Sequence, residues 1–403
     1  MATIAVLGTL DSKGEEHAFV ADCLRACGHS CLLIDVGTGS APSLTPDVTR
    51  FEVAEAAGID LAPLIARADR GECVAAMAEA APLKLLELQQ KGVIQAVISL
   101  GGGGGTAIAS AAMRALPIGF PKLIVSTLAS GNTAQYIGTK DIVMMPSILD
   151  VAGLNRISKT VFAQAAGALS GMLLAPKLEA NQKPLIAASM FGNTTECIGF
   201  AKEVMEGEGY EVLVFHATGT GGQGMEDLIR AGMFDGVLDI TTTEWADELL
   251  GGVLSAGPTR LDAAGEMGIP AIVAPGCLDM VNFGEPESVP ARYANRLFYH
   301  HNPQVTLMRT TAAECAQLGS ILAKKLNAYK GPVEGLIPER GVSVIGLEGQ
   351  PFHDPAADAA LFEAIEDGLE ERISVKRLDV AINDPIFARA CSQALLSLLQ
   401  LPN

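Results

Sequence analysis

Three short stretches of the 403-residue chain carry residue types suited to holding an anion: GTLDSKGEE at 8–16, GGGGGT at 101–106 and STLASGNT at 126–133. Each follows an apolar run and leads into a segment of helical pattern. A loop in that position offers unpaired backbone N–H groups at a helix N-terminus, where the helix dipole also favours negative charge. Glycine is needed where a Cβ would block the approach of a phosphate. The candidate ligand contacts are Thr9, Asp11, Lys13 and Gly14 in the first loop, Gly101, Gly102, Gly103, Gly104, Gly105 and Thr106 in the second, and Gly131, Asn132 and Thr133 in the third. Lys13 is the one cation among them. Asp11 is suited to a metal ion or a hydroxyl, and Asp35, closing the run LLID, to a ribose. No Walker A pattern is present, since Thr106 and not Lys follows the five glycines.

A second group of polar residues falls at strand ends in the other half: His216, then Thr241 to Glu244, then Cys277, Asp279 and Asn282, then Arg309 to Thr311. The stretch FYHHNPQVT adds His300, His301 and Asn302. Histidine supplies proton transfer near neutral pH and cysteine a nucleophile, so His300, His301 and Cys277 are the catalytic candidates. His216, Arg260, Asp279, Asn282, Asn302 and Arg309 are the substrate candidates, with Arg260 suited to clamping a carboxylate or phosphate. GTGGQG at 219–224, with Asp239 about twenty residues on, matches a dinucleotide fingerprint literally. It follows the second strand of its half and not the first, which makes nicotinamide binding the weaker reading.

These loops are positioned by strands of four to six aliphatic residues that alternate with helices, without the period-two pattern of a half-exposed sheet. That is the signature of parallel sheets covered on both faces. The order of elements repeats. Residues 3–39 run parallel to 184–222, GVIQAVISLGGGGGT to AGMFDGVLDITTTEW, FPKLIVSTLASGNT to GIPAIVAPGCLDMVN, and DIVMMPSI to QVTLMRTT. The expectation is an α/β protein of two doubly wound Rossmann-like domains, 1–180 and 181–403, joined near 176–183. A helical insertion over about 47–92 separates the second and third strands, and Leu361, Phe362, Ile365 and Leu369 mark a helix late in the chain.

The formal charge of −18 argues against a nucleic-acid or anionic-membrane partner, both of which select clustered Lys and Arg. With no basic segment ahead of the first strand and no apolar run of spanning length, a cytoplasmic protein is expected. The eight cysteines form no paired C-x-x-C and read as small buried hydrophobes, and no metal site is expected from them.

At GTLDSKGEE, SLGGGGGT, STLASGNT, PGCLDMVNFG and HNPQVTLMRTT the sequence resembles the ATP-binding domain family named after the tomato mosaic virus resistance protein, over the whole chain. The resemblance implies two Rossmann-like domains, ATP held by the first, and a homodimer. Its ATP contacts would fall on Thr9, Asp11, Lys13, Gly14, residues 101–106 and Gly131 to Thr133. Asn132 departs from the Asp often found there. Plant members carry a further barrel domain with no counterpart in these residues, so activities tied to it are not carried over. Together these readings give an ATP-dependent enzyme, with Mg2+ an optional companion of the nucleotide. It would act on a small acidic metabolite in a cleft between the domains, with His300 or His301 as base. The rivals are a non-catalytic ATP-responsive binding protein and an NAD(P)-dependent oxidoreductase.

Overall fold

The computed structural model describes residues 1–176 and 183–400, so most of the junction expected at 176–183 lies outside the described residues. The chain divides into two units, Met1–Glu179 and Ala180–Asn403. The strands of the first are β1 (Thr3–Gly8), β2 (Ser30–Asp35), β3 (Ala96–Gly101), β4 (Lys122–Ser126) and β5 (Val143–Pro146). They form one parallel sheet in the order β2-β1-β3-β4-β5. Both faces are covered, which is why the strands read as largely apolar runs without period-two alternation. Ala5 and Leu7 of β1 point to the helices Arg70–Gln90 and Gly103–Arg114, while Ile4 and Val6 point to Gly14–Ala26 and Arg156–Leu174. The strand order reverses between β1 and β3, and the loops leaving those two strands diverge to leave a crevice.

The second unit contains β6 (Leu185–Met190), β7 (Glu211–His216), β8 (Gly236–Thr241), β9 (Ala271–Gly276), β10 (Met280–Phe283), β11 (Phe298–Asn302), β12 (Val305–Arg309), β13 (Val333–Pro338) and β14 (Ser374–Leu378). Six of them form a parallel sheet in the order β14-β13-β9-β8-β6-β7. Counted from its own first strand, this sheet repeats the order of the first and adds one strand. The α/β architecture with two parallel sheets is therefore as expected, with one correction. The stretch QVTLMRTT forms β12, which pairs antiparallel with β10 and β11 in a separate three-stranded sheet. The place next to β9 belongs to β13, so it is VEGLIP and not QVTLMRTT that corresponds to β5. Among the described residues no helix is long and apolar enough to cross a membrane.

Gly8 is fixed by a close approach. A Cβ there would lie 2.1 Å from His17 Nε2. His17 is fully buried beneath the ends of β1 and β3, with Nδ1 2.7 Å from the Lys13 carbonyl and Nε2 facing the Leu100 N–H at 3.4 Å. Since that N–H must donate, Nε2 accepts and the ring is neutral, in line with the downward pull of burial on its pKa. Gly8→Ala should cost about 1–3 kcal/mol through overpacking. The Gly8→Ala/His17→Ala double variant should recover part of that loss in a urea-unfolding double-mutant cycle, whereas strict additivity would show that the two residues do not meet.

The second unit also buries carboxylates that are held above their ordinary pKa. Asp247 accepts from Asn282 Nδ2 at 2.8 Å, Asn282 N at 3.1 Å and Leu254 N at 3.2 Å, fastening the 251–254 turn to β10. Burial nevertheless pushes its carboxyl up to about 7, and that of Asp279 up to about 6. A raised carboxyl keeps a proton in the folded state that the unfolded chain has released. Stability contributed by the protonated form is therefore lost as pH rises from roughly 4 through 7. Unfolding free energies should fall over that range by the order of a few kcal/mol. Asp247→Asn should flatten the fall; a profile as steep as that of the parent chain would show that Asp247 does not titrate there.

Candidate functional site

The crevice at the β1/β3 switch point is a pocket of about 740 Å³. Its floor is the meeting of two loops. Thr9, Asp11, Ser12 and Lys13 follow β1, and Gly102, Gly103, Gly104 and Gly105 follow β3. Gly102 is the N-cap of the helix Gly103–Arg114, and no side chain caps that helix. The first-turn N–H groups of Gly103 to Gly105 are left without intrahelical acceptors, which is the arrangement an oxyanion fills. A Cβ on Gly103 would meet nothing within 4 Å. Apolar side chains, Ile65, Cys73, Val74 and Ile108, form the wall beyond the glycines.

One buried ion pair sets the shape of this pocket. Arg50 and Asp35 are both almost wholly buried, with Arg50 Nε donating to Asp35 Oδ2 at 2.7 Å. Asp35 Oδ1 accepts from Leu10 N at 3.1 Å and Gly37 N at 2.8 Å, and Arg50 Nη1 donates to the Gly39 and Ser40 carbonyls at 3.2 and 2.9 Å. One ion pair thus ties the first loop, the turn after β2 and the start of the helical insertion. Asp35 is correspondingly not available to a ribose, because both oxygens are occupied inside the protein. Asp11 accepts from Gly39 N at 2.7 Å and stays at the pocket wall, and Lys13 Nζ donates to the Val151 carbonyl.

Residues of the insertion complete the pocket, and sequence reasoning passed over them. Arg70, the first residue of the helix Arg70–Gln90, lines it, and a Cβ on Gly104 would lie 3.6 Å from Arg70 Nη2. A second cation therefore stands against the glycine loop. The available signal was weak: an Asp-Arg pair at a helix start, with Asp69 as N-cap accepting from Glu72 N. Asp150, after β5, also reaches the pocket.

The remaining nucleotide candidates lie apart. Gly14 is buried, and a Cβ there would lie 2.1 Å from Ser43 Oγ, so it serves packing. Gly101 closes a tight turn, where a Cβ would lie 3.1 Å from Gly105 Cα. Thr106 is buried, 2.7 Å from Ser126 Oγ, and holds β3 to β4 from below. Gly131, Asn132 and Thr133 do not line the pocket; Asn132 Oδ1 accepts from Ala134 N at 3.1 Å and Thr133 caps the four-residue helix Ala134–Ile137.

The corresponding crevice of the second unit is filled by the chain itself. Where β3 is followed by glycines, β8 is followed by Thr242, Thr243, Glu244 and Trp245, all buried. Glu244 Oε1 accepts from Gly219 N at 2.8 Å and Gly222 N at 3.1 Å, at the N-terminus of the helix Thr220–Arg230. A carboxylate of the protein thus occupies the place a pyrophosphate would take over GTGGQG. Arg260 is not a ligand clamp: it is buried, with Nε on Glu244 Oε2 at 2.6 Å, Nη1 on Asp239 Oδ2 at 2.5 Å and Nη1 on Glu226 Oε1 at 3.1 Å. Burial raises the Glu226 carboxyl against the pull of Arg260.

The other candidates of this unit are not brought together. Cys277 is fully buried with φ 59, and burial pushes its thiol well above the usual range, so no thiolate is offered. Asp279 is buried and accepts from Ser343 Oγ at 2.5 Å, and Asn282 is held on Asp247. Arg309 donates to Asp358 Oδ1 at 2.6 Å and to the Phe352 carbonyl at 2.8 Å, so its charge is committed within the fold. His216 sits exposed at the end of edge strand β7, its ring 5.5 Å from that of Phe191. His300, His301 and Asn302 lie exposed on β11, an outer strand of the antiparallel sheet, with His300 opposite Thr306 at the edge of a cavity of about 370 Å³.

Comparison with known proteins places both units in one family. The chain is 47% identical over 400 residues to a UPF0261 protein of Clostridium tetani, covering 98% of this chain and 99% of that protein. It is 44% identical over 338 residues to the tomato (Solanum lycopersicum) ToMV resistance protein Tm-1(GCR237), covering 82% of this chain and 45% of that protein. Among solved structures, a UDP-N-acetylglucosamine 2-epimerase of Rickettsia bellii is similar over 67% of this chain and 78% of its own, at 12% identity and a TM-score of 0.23, too low to bear on chemistry. The N-terminal domain model of Uncharacterised protein family (UPF0261) matches residues 2–177 and its C-terminal domain model residues 183–399, and the chain belongs to that family.

Proposed function

We propose that the crevice of the first unit binds ATP, and that the protein is a cytoplasmic, homodimeric enzyme using that ATP in a transfer to a small molecule. The observation that supports this reading best is the convergence of the uncapped N–H groups of Gly103 to Gly105 with Lys13 and Arg70 at the strand-order reversal. Backbone donors at a helix start and two cations suit a run of phosphates. Ile65, Val74 and Ile108 suit the flat apolar faces of a base. A volume of about 740 Å³ is ample for a nucleotide. Among the described residues no group of three or more ligating side chains could hold a metal ion. Mg2+ would enter with the phosphates, keeping several of its waters, and Asp11 would add a carboxylate. Bound there, it would neutralise charge on the phosphates.

The crevice also favours ATP over the nicotinamide reading, because the helix start at GTGGQG already holds Glu244. Gly103→Val points a side chain into open space, so the fold should be kept while the phosphate approach is blocked. Calorimetric titration with Mg·ATP should show at least a tenfold loss of affinity, alongside unchanged circular dichroism. Arg70→Ala should weaken binding by roughly 10- to 100-fold, the range for a hydrogen bond to a charged group. A folded Gly103→Val protein that binds Mg·ATP as the parent does, or a parent that binds NADPH and not ATP, would overturn the proposal.

A further inference from the structure

Next to the nucleotide crevice, at the ends of β4 and β5, lies a second pocket of about 600 Å³. The two pockets share Asp150 as a lining residue. Thr127 stands at the wall between them, its Oγ1 3.6 Å from where a Cβ on Gly102 would be. The lining of the second pocket is of two kinds. Thr127 and Ser130 bring open hydroxyls, Ser126 and Ser147 are buried with Ser126 Oγ already bonded to Thr106 and Leu128 N, and Ile148 and Leu149 bring apolar surface that is 71% and 39% exposed. No basic residue is among the described residues that line it. Ser147 Oγ donates to the Leu149 carbonyl at 2.5 Å, so its lone pairs remain to accept. Ile148 holds φ 65, a left-handed conformation that a β-branched residue disfavours and that surrounding structure must impose. Asp150 is exposed and takes part in none of the hydrogen bonds or ion pairs identified among the described residues.

We infer that this second pocket holds the acceptor of the transfer, a small uncharged polyhydroxy compound, with Asp150 taking the proton from its attacking hydroxyl. The inference rests on the nucleotide reading of the adjoining crevice. Hydroxyl side chains exchange hydrogen bonds with a polyol, and exposed aliphatic carbon covers its C–H face. With a carboxylate and no cation in the wall, an anionic metabolite is disfavoured, which moves the substrate away from the acidic compound expected from the second unit. In the step itself the acceptor oxygen attacks the terminal phosphorus of ATP as its proton passes to Asp150. The new O–P bond forms while the bond from that phosphorus to the bridging oxygen breaks, and the electron pair leaves on ADP. Asp150 is the catalytic residue, since it touches the reacting hydroxyl.

The test uses the full chain with ribitol and D-glucose as probes and D-glycerate as the anionic counterpart. Saturation-transfer NMR is recorded with and without a non-hydrolysable ATP analogue. Transfer to ribitol or glucose and not to glycerate is expected, and Ser130→Trp, at an exposed residue with no side-chain partner, should abolish it while leaving Mg·ATP affinity unchanged. Asp150→Asn should keep both ligands bound and lose at least 100-fold of the polyol-stimulated release of ADP. Transfer to glycerate alone, transfer that persists in Ser130→Trp, or no transfer to any probe overturns the pocket assignment, whatever ATP does. Polyol binding with undiminished ADP release in Asp150→Asn overturns the role of that carboxylate. A parent chain that binds a polyol in this pocket but no ATP would instead sink the nucleotide reading.

Discussion

The ion pair of Arg50 and Asp35 is the constraint from which the candidate site follows. It is made where a parallel sheet ends, at the residue that closes β2, and its two members come from opposite sides of a long turn. Taking both charges out of water is tolerable only because every remaining donor or acceptor of the pair but one finds a partner in the three segments it joins. Once those segments are fixed, the loop after β1 is held open and the helical insertion is anchored beside it. Arg70 then arrives opposite the glycine loop. Gly37 belongs to the same constraint, since a Cβ there would lie 2.7 Å from Asp11 Cγ and 2.8 Å from Arg50 Nη2.

Much of this architecture was legible in the amino-acid order, and the exceptions have physical causes. β1 is an apolar run, and β3 and β8 are apolar but for Ser99 in one and Asp239 and Thr241 in the other, because both faces of the sheet are covered, so the pattern names them. β13 escaped because VEGLIP carries Glu334, Gly335 and Pro338, which dilute the apolar signal. β12 was placed in the wrong sheet because an apolar strand of five residues reads alike in parallel and antiparallel company, and nothing local says which neighbour it will find.

For the site, glycine and helix-start patterns are local and were readable, so Thr9, Asp11, Lys13 and Gly102 to Gly105 were named in advance. Arg70 could not be, because its place against Gly104 depends on how three helices of the insertion pack. Arg260 misled for the opposite reason. In a Gly/Pro-rich turn it looks exposed, and no spacing rule announces that carboxylates from positions 226, 239 and 244 will converge on it. The lesson is general for folds that repeat a strand order: that order specifies where a crevice forms and leaves open what fills it.

Glu244 turns that last point into a difference between the halves. By occupying its own helix start, the second unit carries its anion covalently, at a local concentration no cell can change. The first unit leaves its β1/β3 crevice open, so any ligand that enters adds to its stability in proportion to the logarithm of ligand concentration. One half of the molecule is then set at synthesis, and the other is set continuously by the composition of its surroundings. A repeated strand order can thus frame a crevice that is filled from within in one unit and left open in the other.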